Sequence, residues 1–249
     1  MPPPELTSTS ALVVEYADQL TQAINALARN EAEAIDRAAS ALARQLQRDG
    51  LIYLYGPGAH SAIAVQDVFY RAGCPANVVP VSDPSTTLAA GALASTEAER
   101  GTDHGAAVVA ACGVTAGDPF VIVNAFGINA AALSAARAAR SAGAYVIALT
   151  TPAATAELPA DHPARGAGLT TLADLADLHI DTHVPAGDTL LTVAGSPTGG
   201  ASTVLNSFTL HAILAGALRQ SPTTRTWQST YTPNADIHNA RLAADFPHL

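Results

Sequence analysis

Two short segments hold the residue types from which a small-molecule site can be built. The first, Gly56-Pro57-Gly58-Ala59-His60-Ser61, places two glycines, an imidazole and a hydroxyl side by side. The second, Asn124-Ala125-Phe126-Gly127-Ile128-Asn129, brackets a glycine with two amides. Glycine at Gly58 and Gly127 lets backbone approach a ligand, and free N–H groups where a helix begins favour an anion. His60 offers either a ligand contact or a hydrogen bond that stiffens its loop. Ser61 offers a ligand donor or a helix cap. Asn124 and Asn129 each present a donor and an acceptor, which suits hydroxyl groups, or else they are turn-forming residues.

Other chemistries are excluded by what the chain lacks. All twelve basic residues are Arg, so there is no lysine for a Schiff base to a carbonyl or to pyridoxal phosphate, and no Walker A phosphate loop. Gly56-x-Gly58 lacks the third glycine of a dinucleotide fingerprint; Asp83, near the place of its acidic partner, leaves NAD a minor alternative, and no cofactor is expected. Cys74 and Cys112 are too few and too distant for a disulfide framework or zinc knuckle and read as small buried hydrophobes. His104, His162, His179, His183 and His211 show no metal-ligand spacing; His179 and His183 fall on a strand and its exit rather than on one helical face, so no metal site is expected.

These loops need strands and helices to hold them. Apolar residues recur at spacings of three and four over 10–49, as in Leu12, Tyr16, Leu20, Ile24 and Leu27 and again in Ile35, Ala39, Leu42 and Leu46, predicting two helices before the first strand. Asn30 with Glu33 reads as the cap between them. Short apolar runs predict strands at 51–55, 77–81, 119–123, 145–149 and 178–181, with helices at 62–72, 130–142 and 201–219. Strands of near-continuous apolar character alternating with helices imply a parallel sheet covered on both faces. The fold class is therefore α/β, three-layered, with a five-stranded parallel sheet and an N-terminal helical extension. One domain over 1–249 is expected, divided into N-terminal helices (1–49), an α/β core (50–220) and a C-terminal segment (221–249). The stretch 153–168, rich in Ala, Pro and Gly, reads as a surface excursion.

Composition narrows the class further. With 49% apolar but only 5% aromatic residues, the core must be built from Ala, Val, Leu and Ile, as in Ala-rich helices packed on a sheet. A net charge of −9 argues against nucleic-acid or membrane-surface partners. Residues 1–5 carry no basic region or apolar run, and no stretch reaches about 18 strongly apolar residues, so a cytoplasmic protein is expected.

The run Tyr53-Leu54-Tyr55-Gly56-Pro57-Gly58-Ala59-His60-Ser61, followed by Asp67-Val68-Phe69-Tyr70-Arg71-Ala72-Gly73, resembles the sugar isomerase (SIS) domain family, in its branch of uncharacterised members related to phosphoheptose isomerases. Gly91-Ala92-Leu93 with Glu99-Arg100, Asp174 to Asp177 with Ile180-Asp181, Gly187-Asp188, Ser202-Thr203-Val204 and His238-Asn239 extend the likeness along the chain. The resemblance implies a flavodoxin-like fold, a homodimer or homotetramer, and a sugar-like small-molecule substrate bound at the strand ends. It implies substrate contacts from Gly58, His60, Ser61, Asn124, Gly127, Asn129, Ser202 and Thr203. In the family a Ser-x-Ser-Gly-x-Thr/Asn loop holds phosphate, but here Asn124 and Phe126 stand at the two serine positions, and Phe cannot donate. Where the related branch has a carboxylate, this chain has Ala90, so a catalytic base must come from His238, Asp236, Asp188 or Glu99. Histidine titrates nearest neutrality, which favours His238, with Glu99 and Asp188 behind it. The expected function is a sugar or phosphosugar isomerase or lyase with an altered phosphate loop. The alternatives are a non-catalytic SIS binding module, or an enzyme acting on a non-phosphorylated small molecule. The N-terminal helices, apolar on one face, independently suggest a surface for a second copy.

Overall fold

The computed structural model describes residues 8–246, so the reading of residues 1–5 lies outside it. The chain begins with two helices, α1 (Thr9–Asn30) and α2 (Ala32–Gln47). The strands that follow are β1 (Ile52–Tyr55), β2 (Val78–Pro80), β3 (Pro119–Val123), β4 (Tyr145–Thr150) and β5 (Leu178–Asp181). All pair in parallel, in the order β2-β1-β3-β4-β5. Between them run α3 (Ala59–Val68), α4 (Ala92–Glu99), α5 (His104–Cys112), α6 (Ala130–Ser141) and the single turn α7 (Leu172–Leu175). A hairpin of β6 (Thr189–Val193) and β7 (Ser196–Gly200) precedes α8 (Ser202–Gln220), and α9 (Ala235–Ala244) follows.

The period-two alternation of each strand builds the three layers. Leu54, Val121, Val123, Ile147 and Leu149 point into one core, with Leu42 and Leu46 of α2, Val65 of α3 and Ile213 and Leu214 of α8. Their neighbours Tyr53, Tyr55, Phe120, Ile122 and Val146 point into the other, against Val109 of α5 and Leu133, Ala136 and Ala139 of α6. The five-stranded parallel α/β fold expected from the sequence is present. Among the described residues no helix is long and apolar enough to cross a membrane, and no group of three or more His, Cys, Asp or Glu is placed to hold a metal ion.

Four local expectations are corrected. Asn30 caps nothing; it is the last residue of α1, and a single residue, Glu31, separates the helices without a side-chain cap. The Glu31 carboxylate reaches β5 instead, accepting from Asp181 N at 3.2 Å. The helix placed at 62–72 starts directly on the glycine loop and stops at Val68, because Phe69 is extended and Tyr70 then turns left-handed at φ +50°. The 153–168 excursion is not merely superficial, as described below. Lastly, the C-terminal segment, in which no helix was expected, carries α9, which clasps the core. Trp227, 2% exposed, packs with Ala76, Leu242 and Phe246, and its backbone N–H donates to Cys74 O at 3.0 Å.

Candidate functional site

In an open parallel sheet, a crevice opens at the carboxyl ends of the strands where the order reverses, here between β1 and β3. The two glycine loops leave the sheet at that point. Gly58, at φ +110°, is the N-cap residue of α3, a conformation L side chains rarely adopt. Buried Asn124 ties the loops together: its Nδ2 donates to Pro57 O at 3.0 Å, and its Oδ1 accepts from Gly127 N at 2.7 Å. Gly127 is itself left-handed at φ +63°, and a Cβ there would collide with the Thr150 hydroxyl, so it shapes the loop from behind. Asn129 ends the second loop as the N-cap of α6, accepting from Ala132 N at 3.2 Å.

Above these loops lies a cavity of about 930 Å³. Gly58, His60, Ser61, Glu99, Asn124, Asn129, Asp188 and Ser202 line it, so eight of the residues singled out from the sequence are gathered on one wall system. Neither the His60 ring nor the Ser61 hydroxyl has a hydrogen-bond partner among the described residues, which leaves both open to the cavity. Gly127 and Thr203 do not line it.

Glu99 is the last residue of α4 and is partly buried. Its Oε2 accepts from Asn129 Nδ2 at 2.8 Å, and a Cβ at Gly58 would stand only 3.0 Å from its Oε1. Burial pushes the Glu99 carboxyl above the ordinary carboxylate range; the Asn129 amide and the Arg100 guanidinium pull it back, and the negative charge of Asp83 adds to the rise. A carboxyl moved toward neutrality on a cavity wall is equipped to accept and return a proton.

Asp188 is placed differently. Its Oδ1 accepts from Ala201 N at 3.1 Å and Ser202 N at 2.7 Å, and its Oδ2 accepts from the Ser202 hydroxyl at 2.7 Å. The carboxylate is occupied as the cap of α8. His238 is not brought to this cavity by the chain. It lies on α9 in a separate depression with Arg225, Asn234 and Arg241, its Nε2 3.0 Å from Thr226 O, and Asp236 is exposed on the same helix. The reason is the Trp227 anchor, which seats α9 away from the carboxyl ends of β1 and β3.

The remaining wall comes from residues that sequence reasoning passed over: Thr96 and Arg100 beside Glu99, and Ala154, Thr155, Glu157 and Leu158 from the excursion after β4. Arg165 holds that excursion in place by donating to Thr155 O at 2.8 Å and Leu158 O at 3.1 Å. The available signal was position, since the excursion leaves the carboxyl end of β4, on the same edge as both glycine loops.

Comparison with known proteins agrees with this architecture. Residues 15–151 match the SIS domain model. Over 202 residues, 80% of each chain, the sequence is 35% identical to a UPF0309 protein of Brucella ovis. A UPF0309 protein of Listeria innocua is 30% identical over 240 residues, 93% of this chain and 94% of its own. Among solved structures, a phosphoheptose isomerase from Francisella tularensis superposes with a TM-score of 0.55 at 18% identity, over 86% of this chain and 100% of that one, a likeness of fold. The chain belongs to the SIS domain family and to its UPF0309 members.

Proposed function

We propose that the protein is a sugar isomerase of the SIS type, with Glu99 as the group that moves the proton. One observation carries this reading: a carboxyl with a raised pKa on the wall of the strand-end cavity, oriented by Asn129. In an aldose–ketose interconversion the base removes the proton from the carbon next to the carbonyl, and the C–H electrons form the C=C bond while the carbonyl oxygen takes up a proton to give an enediol. The carbon-bound proton then returns to the former carbonyl carbon as the neighbouring hydroxyl gives up its proton and becomes the new carbonyl. A single carboxylate suffices for both transfers at carbon. The Ser61 hydroxyl and the His60 ring, both free of other partners among the described residues, are the donors available to the substrate oxygens. The membership in the SIS family, and the name of the Francisella neighbour, support sugar as the substrate class.

The test is exchange of the C2 proton of aldoses and aldose phosphates in deuterated water, followed by NMR. Glu99→Gln is expected to lower the exchange rate by roughly 10²–10⁴-fold, the usual worth of a general base, while sugar binding persists. Unchanged exchange in that variant rejects Glu99 as the base. Binding without any exchange in the wild-type protein supports the non-catalytic module instead.

A further inference from the structure

Three helices direct their N-termini at the cavity: α3 through Gly58 to Ser61, α6 through Asn129, and α8 through Ser202. Helix N-termini facing a cavity ordinarily make an anion site, because their first N–H groups lack partners. At two of the three the chain supplies partners itself. At α6, Ala132 N donates to Asn129 Oδ1 at 3.2 Å; at α8, Ala201 N and Ser202 N donate to Asp188 Oδ1 at 3.1 and 2.7 Å. In the loop before α6, Gly127 N donates to Asn124 Oδ1 at 2.7 Å. At α3 no side chain caps the first turn, but the Glu99 carboxylate stands beside it, 3.0 Å from where a Cβ at Gly58 would be, so an anion there meets a negative charge.

The charge of the wall points the same way. Among the described residues, Glu99, Glu157 and Asp188 line the cavity, against one arginine, Arg100. A phosphate monoester carries close to two negative charges at neutral pH. It would meet three carboxylates and find backbone donors at α6 and α8 already used. Much of the remaining wall is apolar, with Pro57, Phe126, Ile128, Ala154 and Leu158, which suits the C–H face of a sugar ring and gives no donor to a phosphate.

We infer that the cavity selects a sugar-like polyol without phosphate, neutral or bearing an amine, and rejects its phosphorylated counterpart. This rests on the sugar reading of the same cavity and adds the charge of its ligand.

Calorimetric titration of the full chain at low salt tests it. The probes are inorganic phosphate and matched sets of five- to seven-carbon aldoses, their amino derivatives and their terminal phosphates. The expected result is binding of at least one free or amino sugar, ten-fold or more tighter than its phosphate, with no heat from inorganic phosphate. Phosphate esters that bind as well as or better than the free sugars overturn the inference and leave the sugar reading standing. Silence from every sugar overturns both.

A second measurement turns the selectivity around. Asp188 lies at φ +59°, where glycine is at ease, so Asp188→Gly removes a carboxylate and releases the N-terminus of α8. Its affinity for aldose phosphates is expected to rise ten-fold or more over wild type. Should that variant fail to fold, Glu157→Gln removes charge alone, and a several-fold rise is expected. No rise in the folded variant overturns the inference.

Discussion

Asn129 does two things with one side chain: its Oδ1 caps α6 through Ala132 N, and its Nδ2 donates to Glu99 Oε2 at 2.8 Å. The helix start and the orientation of the candidate base are thereby the same event. Substitutions can separate them. Asn129→Ala loses both contacts and is expected to cost about 1 kcal/mol of stability through the lost cap. Asn129→Ser retains a cap of similar strength, so its melting temperature should stay close to wild type. Both remove a hydrogen bond that favours the ionised carboxylate, so in both the Glu99 pKa should move further up. Carbon-13 NMR of the Glu99 carboxyl reads this directly; a Glu99 titration unmoved in Asn129→Ser would sink the coupling.

The same carboxyl makes stability depend on pH. The folded pKa of Glu99 lies above its unfolded value, chiefly through burial, so the folded state holds this proton more tightly. Its favourable contribution is complete below the unfolded glutamate pKa of about 4.3 and is lost as pH rises through the folded value. Glu99→Gln removes that loss, because a neutral amide has no charge to desolvate and its oxygen still accepts from Asn129. The variant should therefore gain on wild type as pH rises from about 4 to 7.5, within the range where both stay folded. Urea midpoints across that range measure it, and a constant or narrowing gap would reject the assignment.

A further prediction concerns the C-terminal clasp. Asn239, 3% exposed, holds both backbone groups of Gln228: its Oδ1 accepts from Gln228 N at 3.0 Å and its Nδ2 donates to Gln228 O at 2.9 Å. Asn239→Ala removes both hydrogen bonds, at about 0.5–1.5 kcal/mol each. The single tryptophan, Trp227, sits next in the chain, so its fluorescence reports on the clasp. A red shift in Asn239→Ala at lower denaturant than in wild type is expected; identical curves would show that the two bonds contribute nothing.

What the sequence revealed and what it hid follows from how each element is stabilised. β1, β3 and β4 were legible because a strand covered on both faces must be apolar at every position, as in Phe120 to Val123. The glycine loops were legible because Gly58 and Gly127 are conformational necessities. By contrast α4 offers no stripe to read: Ser95 is its only buried residue, and Leu93 is 82% exposed. The β6–β7 hairpin is largely exposed, and its turn puts Ala194 and Gly195 both at positive φ, so neither alternation nor an Asn-Gly pair announces it. Which of the candidate bases line the cavity was hidden for another reason. Histidine chemistry favoured His238, but where α9 docks is decided by Trp227 packing on Ala76, a contact no local pattern encodes. Glu99 reaches the cavity because Gly58 has no side chain, a pairing visible only once β1 and α4 are in place.

Packing between α5 and α6 gives a last prediction, one in which two physical effects oppose. Gly105 lies in α5 with its Cα against the backbone of α6; a Cβ there would fall inside the van der Waals shell of Ala131 O and stand 2.8 Å from Ala135 N. Helix propensity alone favours alanine over glycine by up to about 1 kcal/mol. Overpacking costs about 1–3 kcal/mol, and more when the neighbour cannot yield. Here the obstructing atoms are backbone of a buried helix, so no rotamer change relieves them, and α5 must move off α6. The loss should exceed the gain, leaving Gly105→Ala less stable by roughly 2 kcal/mol. Because Asn129 caps α6, such a shift would also loosen the contact between Asn129 and Glu99. Equilibrium denaturation decides between the two effects: a Gly105→Ala protein as stable as wild type would mean that propensity wins and the helices are not held at this distance.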